Sequence, residues 1–117
     1  MNILITVAHP DDETIGMGGT IKKLSKNNEI TLCVMSDGAS AQYDDKKMIK
    51  VRQDACKKAG KILGISKFHF LNFPDMKLDS IPHVEMNKEL EKIIKKFNPK
   101  ILYSTSYNDL NKDHQKV

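Results

Sequence analysis

Four short runs of β-forming residues alternate with three amphipathic stretches, and that rhythm restricts the fold more than any other property of the chain. Residues 2–8 (Ile3, Leu4, Ile5 and Val7 among them) and 29–36 read as apolar strands, with Phe68-His69-Phe70-Leu71 and Ile101-Leu102-Tyr103 as two shorter ones. Runs that are apolar without alternation belong to strands buried on both faces, as in parallel sheets covered by helices. Between them, 14–26 is expected to be a helix with Ile15, Ile21 and Leu24 on one side. A second helix runs from about Asp44 to Leu63 and stops at Gly64, and a third covers 82–97 before Pro99. The implied architecture is α/β: a Rossmann-like, doubly wound parallel sheet with strand order 3-2-1-4 and helices on both faces.

In that order strands one and four are neighbours whose following loops diverge, which opens a crevice at their carboxyl ends. Strand one leads into Ala8-His9-Pro10-Asp11-Asp12-Glu13, and strand four into Tyr107-Asn108-Asp109-Leu110-Asn111-Lys112-Asp113-His114. An imidazole and three carboxylates this close repel unless something positive sits among them, and a divalent cation is the simplest such partner. A catalytic zinc site takes three nitrogen or carboxylate ligands and keeps one position open. His9, Asp12 and His114 supply that set, which other divalent transition metals would also accept. His9 and Asp12 are three apart across a turn that Pro10 stiffens, so both can point one way while Asp11 points differently. Asp11 then lies near the metal without binding it, where a carboxylate is a natural general base.

Several functional classes are excluded. At 117 residues with 39% hydrophobic and 29% charged content, the chain fits one globular domain. The net charge of +4 comes from lysines spread along predicted helices; Arg52 is the only arginine and there is no Trp, so the lysines read as solvated surface and not as a nucleic-acid patch. Cys33 and Cys56 form no C-x-x-C pair and read as small buried hydrophobes, which implies a reducing, cytoplasmic setting. The N-terminal apolar run lacks a basic flank and is broken by His9 and Pro10, against a signal peptide, and no run reaches membrane-spanning length. The acidic turn after strand one would repel a dinucleotide's pyrophosphate; Gly16, Gly18 and Gly19 come later, inside the helix, where close packing on the sheet is their expected role.

Plainer readings exist for most of these residues. Asp11 or Asp12 could cap a helix, with Glu13 as a first-turn acid. On that reading the chain is an interaction module whose acidic turn binds no metal. Arg52 suits either a surface ion pair or planar, bidentate substrate contact. Asp75, after Phe73-Pro74, suits a turn. His69, His83 and the methionines read as structural, and Asp44 and Asp45 as a helix start.

Taken together, Ala8-His9-Pro10-Asp11-Asp12-Glu13, Gly16-Met17-Gly18-Gly19-Thr20, Ser36-Asp37-Gly38, Arg52-Gln53-Asp54, Phe73-Pro74-Asp75 and Asp113-His114 resemble the PIG-L/LmbE-like family of zinc-dependent N-acetylglucosaminyl deacetylases, in order and over essentially the whole chain. The resemblance implies metal-assisted hydrolysis of an acetamide on a small-molecule amino-sugar conjugate. It implies His9, Asp12 and His114 as zinc ligands, Asp11 as base, Asp113 behind the ligands, and Arg52 and Asp75 as the residues that grip sugar hydroxyls. Two departures accompany it. Asn111 stands where the family commonly has a histidine that stabilises the oxyanion or protonates the leaving amine, and an amide can donate a hydrogen bond but cannot deliver a proton. Some members carry Leu-Asn-x-Asp-His here, so Asn111 is retained as a catalytic candidate. The alternative is a metal- or sugar-binding domain without turnover. Family members also continue past the position of Val117, so 1–117 is read as a single domain of this type, incomplete at its C-terminus. Strand four is then an edge open to self-association, and His114 is expected in a frayed terminus that retains metal weakly.

Overall fold

The computed structural model describes residues 1–41, 46–106 and 108–117. Strands β1 (Asn2–Val7), β2 (Glu29–Ser36), β3 (Lys67–Phe73) and β4 (Ile101–Tyr103) form one parallel sheet in the order β3-β2-β1-β4. Helices α1 (Asp12–Leu24), α2 (Lys46–Leu63), α3 (His83–Phe97) and the short α4 (Lys112–Lys116) connect and follow them. The sheet order matches the one expected from the β/α alternation. The predicted start of the second helix at Asp44 and Asp45, and Tyr107 of the strand-four loop, lie outside the described residues.

Both faces of β1 and β2 are buried. Ile3, Ile5 and Val7 of β1 and Ile30, Leu32 and Val34 of β2 point to one side, where they pack with Ile21, Leu24, Cys56 and Leu63 of α1 and α2. Leu4, Cys33 and Met35 point to the other, against Met86, Leu90, Ile93, Ile94 and Phe97 of α3. Burying a large aliphatic side chain contributes about 1.5–3 kcal/mol, so these two cores hold the sheet in register and fix where its strand ends lie. Cys33 and Cys56 are free and buried, as expected. No helix among the described residues is long and apolar enough to cross a membrane.

Local sequence explains the helix ends. Acidic Asp12 and Glu13 open α1 and Lys22 and Lys23 close it, matching the helix dipole. Asn98 ends α3 in the left-handed region (φ 45°) and its N–H bonds Ile94 O, before Pro99. Gly64 ends α2 at φ +100°, its N–H 2.9 Å from Gly60 O, and a Cβ there would collide with Ser25 at the end of α1.

Three local expectations fail. Ile21 is buried and Leu24 packs on the core, but Ile15 is 81% exposed; at 3.6 residues per turn its spacing from those two sets it across the helix from them, and Met17 leaves helical geometry in between (φ −147°, ψ 26°). Gly16 and Gly19 touch nothing that a Cβ would meet, and Gly18 only approaches Leu63, so these glycines do not serve close packing on the sheet. β3 runs past Leu71 to Phe73, because Asn72 takes a left-handed φ of 59° at a register shift and lets the strand resume after a polar residue.

Replacing Gly64 by alanine is expected to cost about 1–3 kcal/mol, since it combines a strained φ with a collision at Ser25. Urea denaturation of Gly64→Ala beside wild type measures this; coincident midpoints would contradict the packing described.

Candidate active site

The turn after β1 is held by its own polar groups. His9 O accepts from Asp11 N (2.9 Å) and Asp12 N (3.3 Å), while the Asp12 carboxylate folds back to accept from His9 N (2.9 Å). This puts the His9 and Asp12 side chains together. Asp11 occupies the N-cap position of α1, with Asp12 and Glu13 in the first turn, but its side chain makes no cap bond, so capping does not engage its carboxylate. Its Oδ2 instead lies 3.6 Å from Arg52 Nη2, reaching over from α2. That pair is half-exposed and contributes at most about 1 kcal/mol, so its effect is on orientation more than on stability.

The loop after β4 is equally tied down. Asn111 Oδ1 caps α4 by accepting from Asp113 N (2.9 Å) and His114 N (3.4 Å). Asp109 Oδ1 accepts from Asn111 N (2.9 Å), and Thr105 Oγ1 donates to His114 O (2.7 Å). His114 thus lies in a hydrogen-bonded helical turn: three of these bonds are internal to residues 109–114, and the fourth, from Thr105, ties the segment back to the residues that follow β4.

The two segments meet. His9 Nδ1 lies 3.1 Å from His114 Nε2 and 3.4 Å from Asp12 Oδ2, and His114 Nε2 lies 3.2 Å from Asp12 Oδ2. The outer nitrogens are already committed, His9 Nε2 to Asp113 Oδ2 (2.9 Å) and His114 Nδ1 to Asp109 Oδ2 (2.7 Å). Carboxylates accept, so those outer nitrogens carry the protons in the neutral rings, and three lone pairs converge on one point. Converging acceptors are stable only around a cation. Ligands at 2.0–2.1 Å from a tetrahedral ion stand about 3.3 Å apart, which matches all three separations. The donor set of two imidazoles and a carboxylate suits zinc and its neighbours. A second cluster, His9 with Asp75 and Asp113, also has ligand atoms within 4.8 Å of one another. It is less suited to an ion, because both oxygens of Asp113 already accept backbone N–H groups, from Met76 (2.7 Å) and Leu78 (2.8 Å).

The electrostatics agree. Burial alone would lower the His9 pKa, but hydrogen bonds to Asp12 and Asp113, with their charges, outweigh it and raise it to about 9. Burial likewise opposes ionisation of Asp12, yet bonds from the His9 ring and amide hold its carboxyl below the ordinary value. Without a metal, a proton on His9 is the cation these groups share. Burial pushes the Asp75 carboxyl up, against the pull of His9. Glu13 is the first-turn acid expected, yet only 1% exposed: Cys56 Sγ donates to its Oε1 (3.3 Å), its Oε2 has no partner among the described residues, and burial raises its pKa.

Around the triad opens a polar cleft of about 370 Å³, lined by His9, Asp11, Asp12, Arg52, Asp75, Asn111 and His114. Asp113 sits behind it, fully buried. All eight residues singled out from sequence are thus brought to one place. Gly38 (φ +70°) packs against Pro10 so closely that a Cβ would strike the proline ring, which presses the loop after β2 onto the cleft's rim. Sequence reasoning missed Asp109; its only signal was a carboxylate five residues ahead of a candidate ligand histidine.

A doubly wound parallel sheet with a cation-ready His-Asp-His centre where β1 and β4 diverge defines an α/β domain with its polar cleft at the topological switch point. The sequence pattern of the GlcNAc-PI de-N-acetylase (PIG-L) family matches residues 4–117, and the chain belongs to that family. It is 34% identical over 106 residues to a diacetylchitobiose deacetylase of Thermococcus kodakarensis, covering 86% of this chain and 39% of the relative. It is 24% identical over 111 residues to a probable N-acetyl-alpha-D-glucosaminyl L-malate deacetylase 2 of Bacillus anthracis, covering 88% and 49%. The solved N,N'-diacetylchitobiose deacetylase from Pyrococcus horikoshii superposes with a TM-score of 0.87 at 31% identity, over 98% of this chain and 45% of that one. The chain spans less than half the length of each of these relatives.

The raised His9 pKa carries a sign. A group protonated more readily in the folded than in the unfolded state stabilises fully below its unfolded value of 6.5 and loses that contribution as pH rises towards about 9. Chelator-treated protein is therefore expected to lose stability to urea between those values; a gain over the same range would contradict the arrangement.

Proposed function

We propose that the chain carries the metal centre and cleft of a zinc-dependent hydrolase that removes the acetyl group from an N-acetylglucosamine-type amino-sugar conjugate. One observation carries this: His9 Nδ1, Asp12 Oδ2 and His114 Nε2 converge at ion-ligand spacing on the wall of a polar cleft that also holds an uncoordinated carboxylate, Asp11. The deacetylase names of its relatives support the same reaction. Bound zinc would supply a Lewis acid that polarises an acyl oxygen and lowers the pKa of a water.

The chain's own groups do the remaining work. Asp11 lines the cleft outside the ligand triangle, where its carboxylate can take a proton from a water in the cleft and later return it to the departing amine. Arg52 Nη2, 3.6 Å away, steadies that carboxylate, and the guanidinium has further N–H groups in the cleft with which to bond a sugar hydroxyl. Asp75, beside the triad with Oδ1 3.3 Å from His9 Nε2, lines the same cleft and offers an acceptor to a second hydroxyl. Asn111 commits its Oδ1 to the α4 cap, which turns its amide N–H₂ outward; the nearest partner is Met76 Sδ at 4.0 Å, so the group is available to an oxyanion. Binding without turnover is the less favoured reading, because a carboxylate able to carry the proton, Asp11, and an amide donor, Asn111, line this cleft beside the triad. The free, buried Cys33 and Cys56 support work in the cytoplasm.

Acetate release from N,N'-diacetylchitobiose by the zinc-loaded protein tests the proposal. Asp11→Asn is expected to lower the rate by about a hundredfold to ten-thousandfold while zinc binding is kept. Equal rates for the two proteins would remove Asp11 from the chemistry, and no acetate from either would remove the activity.

A further inference from the structure

A histidine offers a metal a lone pair at a defined nitrogen only when its other nitrogen is committed elsewhere. For His9 that commitment is the buried Asp113. For His114 it is Asp109, whose Oδ2 lies 2.7 Å from Nδ1. We propose that Asp109 is a positioning residue of the metal centre, holding His114 in the Nδ1–H form so that its Nε2 lone pair points at Asp12 and His9. This rests on the reading that those three side chains bind a divalent cation.

Three observations give Asp109 this task. Its carboxylate is divided: Oδ1 accepts from Asn111 N (2.9 Å), which fixes the loop, while Oδ2 is left for the ring. Its main chain is fixed as well, with Asp109 N donating to Ser106 O (3.3 Å) and Asp109 O accepting from Gln115 Nε2 (2.8 Å), so the acceptor is held in place before any ion arrives. Finally, among the described residues Nδ1 of His114 has no other hydrogen-bond partner. With Asp113 behind His9, the centre is then two carboxylate-imidazole pairs facing one another across a single ion, with Asp12 as the third ligand.

The test uses two variants and two readouts. Asp109→Ala removes both acceptors. Asp109→Asn keeps an oxygen for Asn111 N but turns a donor towards His114 Nδ1, which favours the wrong tautomer, with Nε2–H aimed into the triad. Zinc affinity, read by competition with a chelating dye, is expected to fall by about tenfold to a hundredfold in each. In nitrogen-15 NMR of the zinc-loaded wild type, His114 should show a protonated Nδ1 protected from exchange with water, and that protection should vanish in Asp109→Ala. Wild-type zinc affinity in both variants overturns the proposal. So does a loss confined to Asp109→Ala that matches its loss of stability to urea in the metal-free protein, since Asp109 would then only staple the loop. A wild type that takes up no zinc fails differently, by overturning the metal reading beneath it.

Discussion

The Asp113 carboxylate ties together three parts of the chain that are distant in sequence. It accepts from His9 Nε2 after β1, from the backbone of Met76 and Leu78 after β3, and it belongs to α4 after β4. A buried carboxylate is costly unless its lone pairs are satisfied, and a hydrogen bond to a charged group contributes about 1.5–3 kcal/mol. Asp113 meets this condition with three donors. Because two of them are backbone groups of one turn and the third is a ligand ring, the bond that stabilises the loops also aims His9 at its neighbours. The same bonds thus serve the fold and the placement of the His9 ring.

What the sheet contributes is placement. β1 lies between β2 and β4, buried on both faces, so the segments that leave β1 and β4 emerge side by side and then part. More than a hundred residues separate His9 from His114, yet their ring centroids are 5.1 Å apart. Neither turn would be a site alone. The β1 turn holds two lone pairs beside a spare carboxylate, and the β4 loop brings the third lone pair with the amide of Asn111.

The sheet order and the meeting of the two polar segments were legible in the sequence because they follow from strong, simple signals: apolar runs of strand length, helix stops at Gly64 and Pro99, and carboxylates too dense to be structural. The parts that escaped lack such signals. The 3₁₀ turn at Leu78–Ser80 and α4 are too short to show periodicity, and both exist because Asp113 and Asn111 satisfy their backbone groups. Ile15 reads as a core residue by its apolarity alone; its spacing from Ile21 and Leu24 does not put it on their side of a helix, and it is exposed. Glu13 stands in the first turn as expected, but its burial beside Cys56 depends on how α1 and α2 cross, which no local pattern encodes. Asp109 was hidden for the same reason, since its role exists only once the loop has folded around His114.

The claim on which the account turns is that His9 Nδ1, Asp12 Oδ2 and His114 Nε2 enclose a single cation. Anomalous diffraction recorded on either side of the zinc absorption edge, from crystals grown with zinc, measures this directly. One strong peak within about 2.0–2.2 Å of all three atoms is expected. A difference map with no peak there at saturating zinc, or a peak bonded to Asp75 and Asp113 instead, would contradict it.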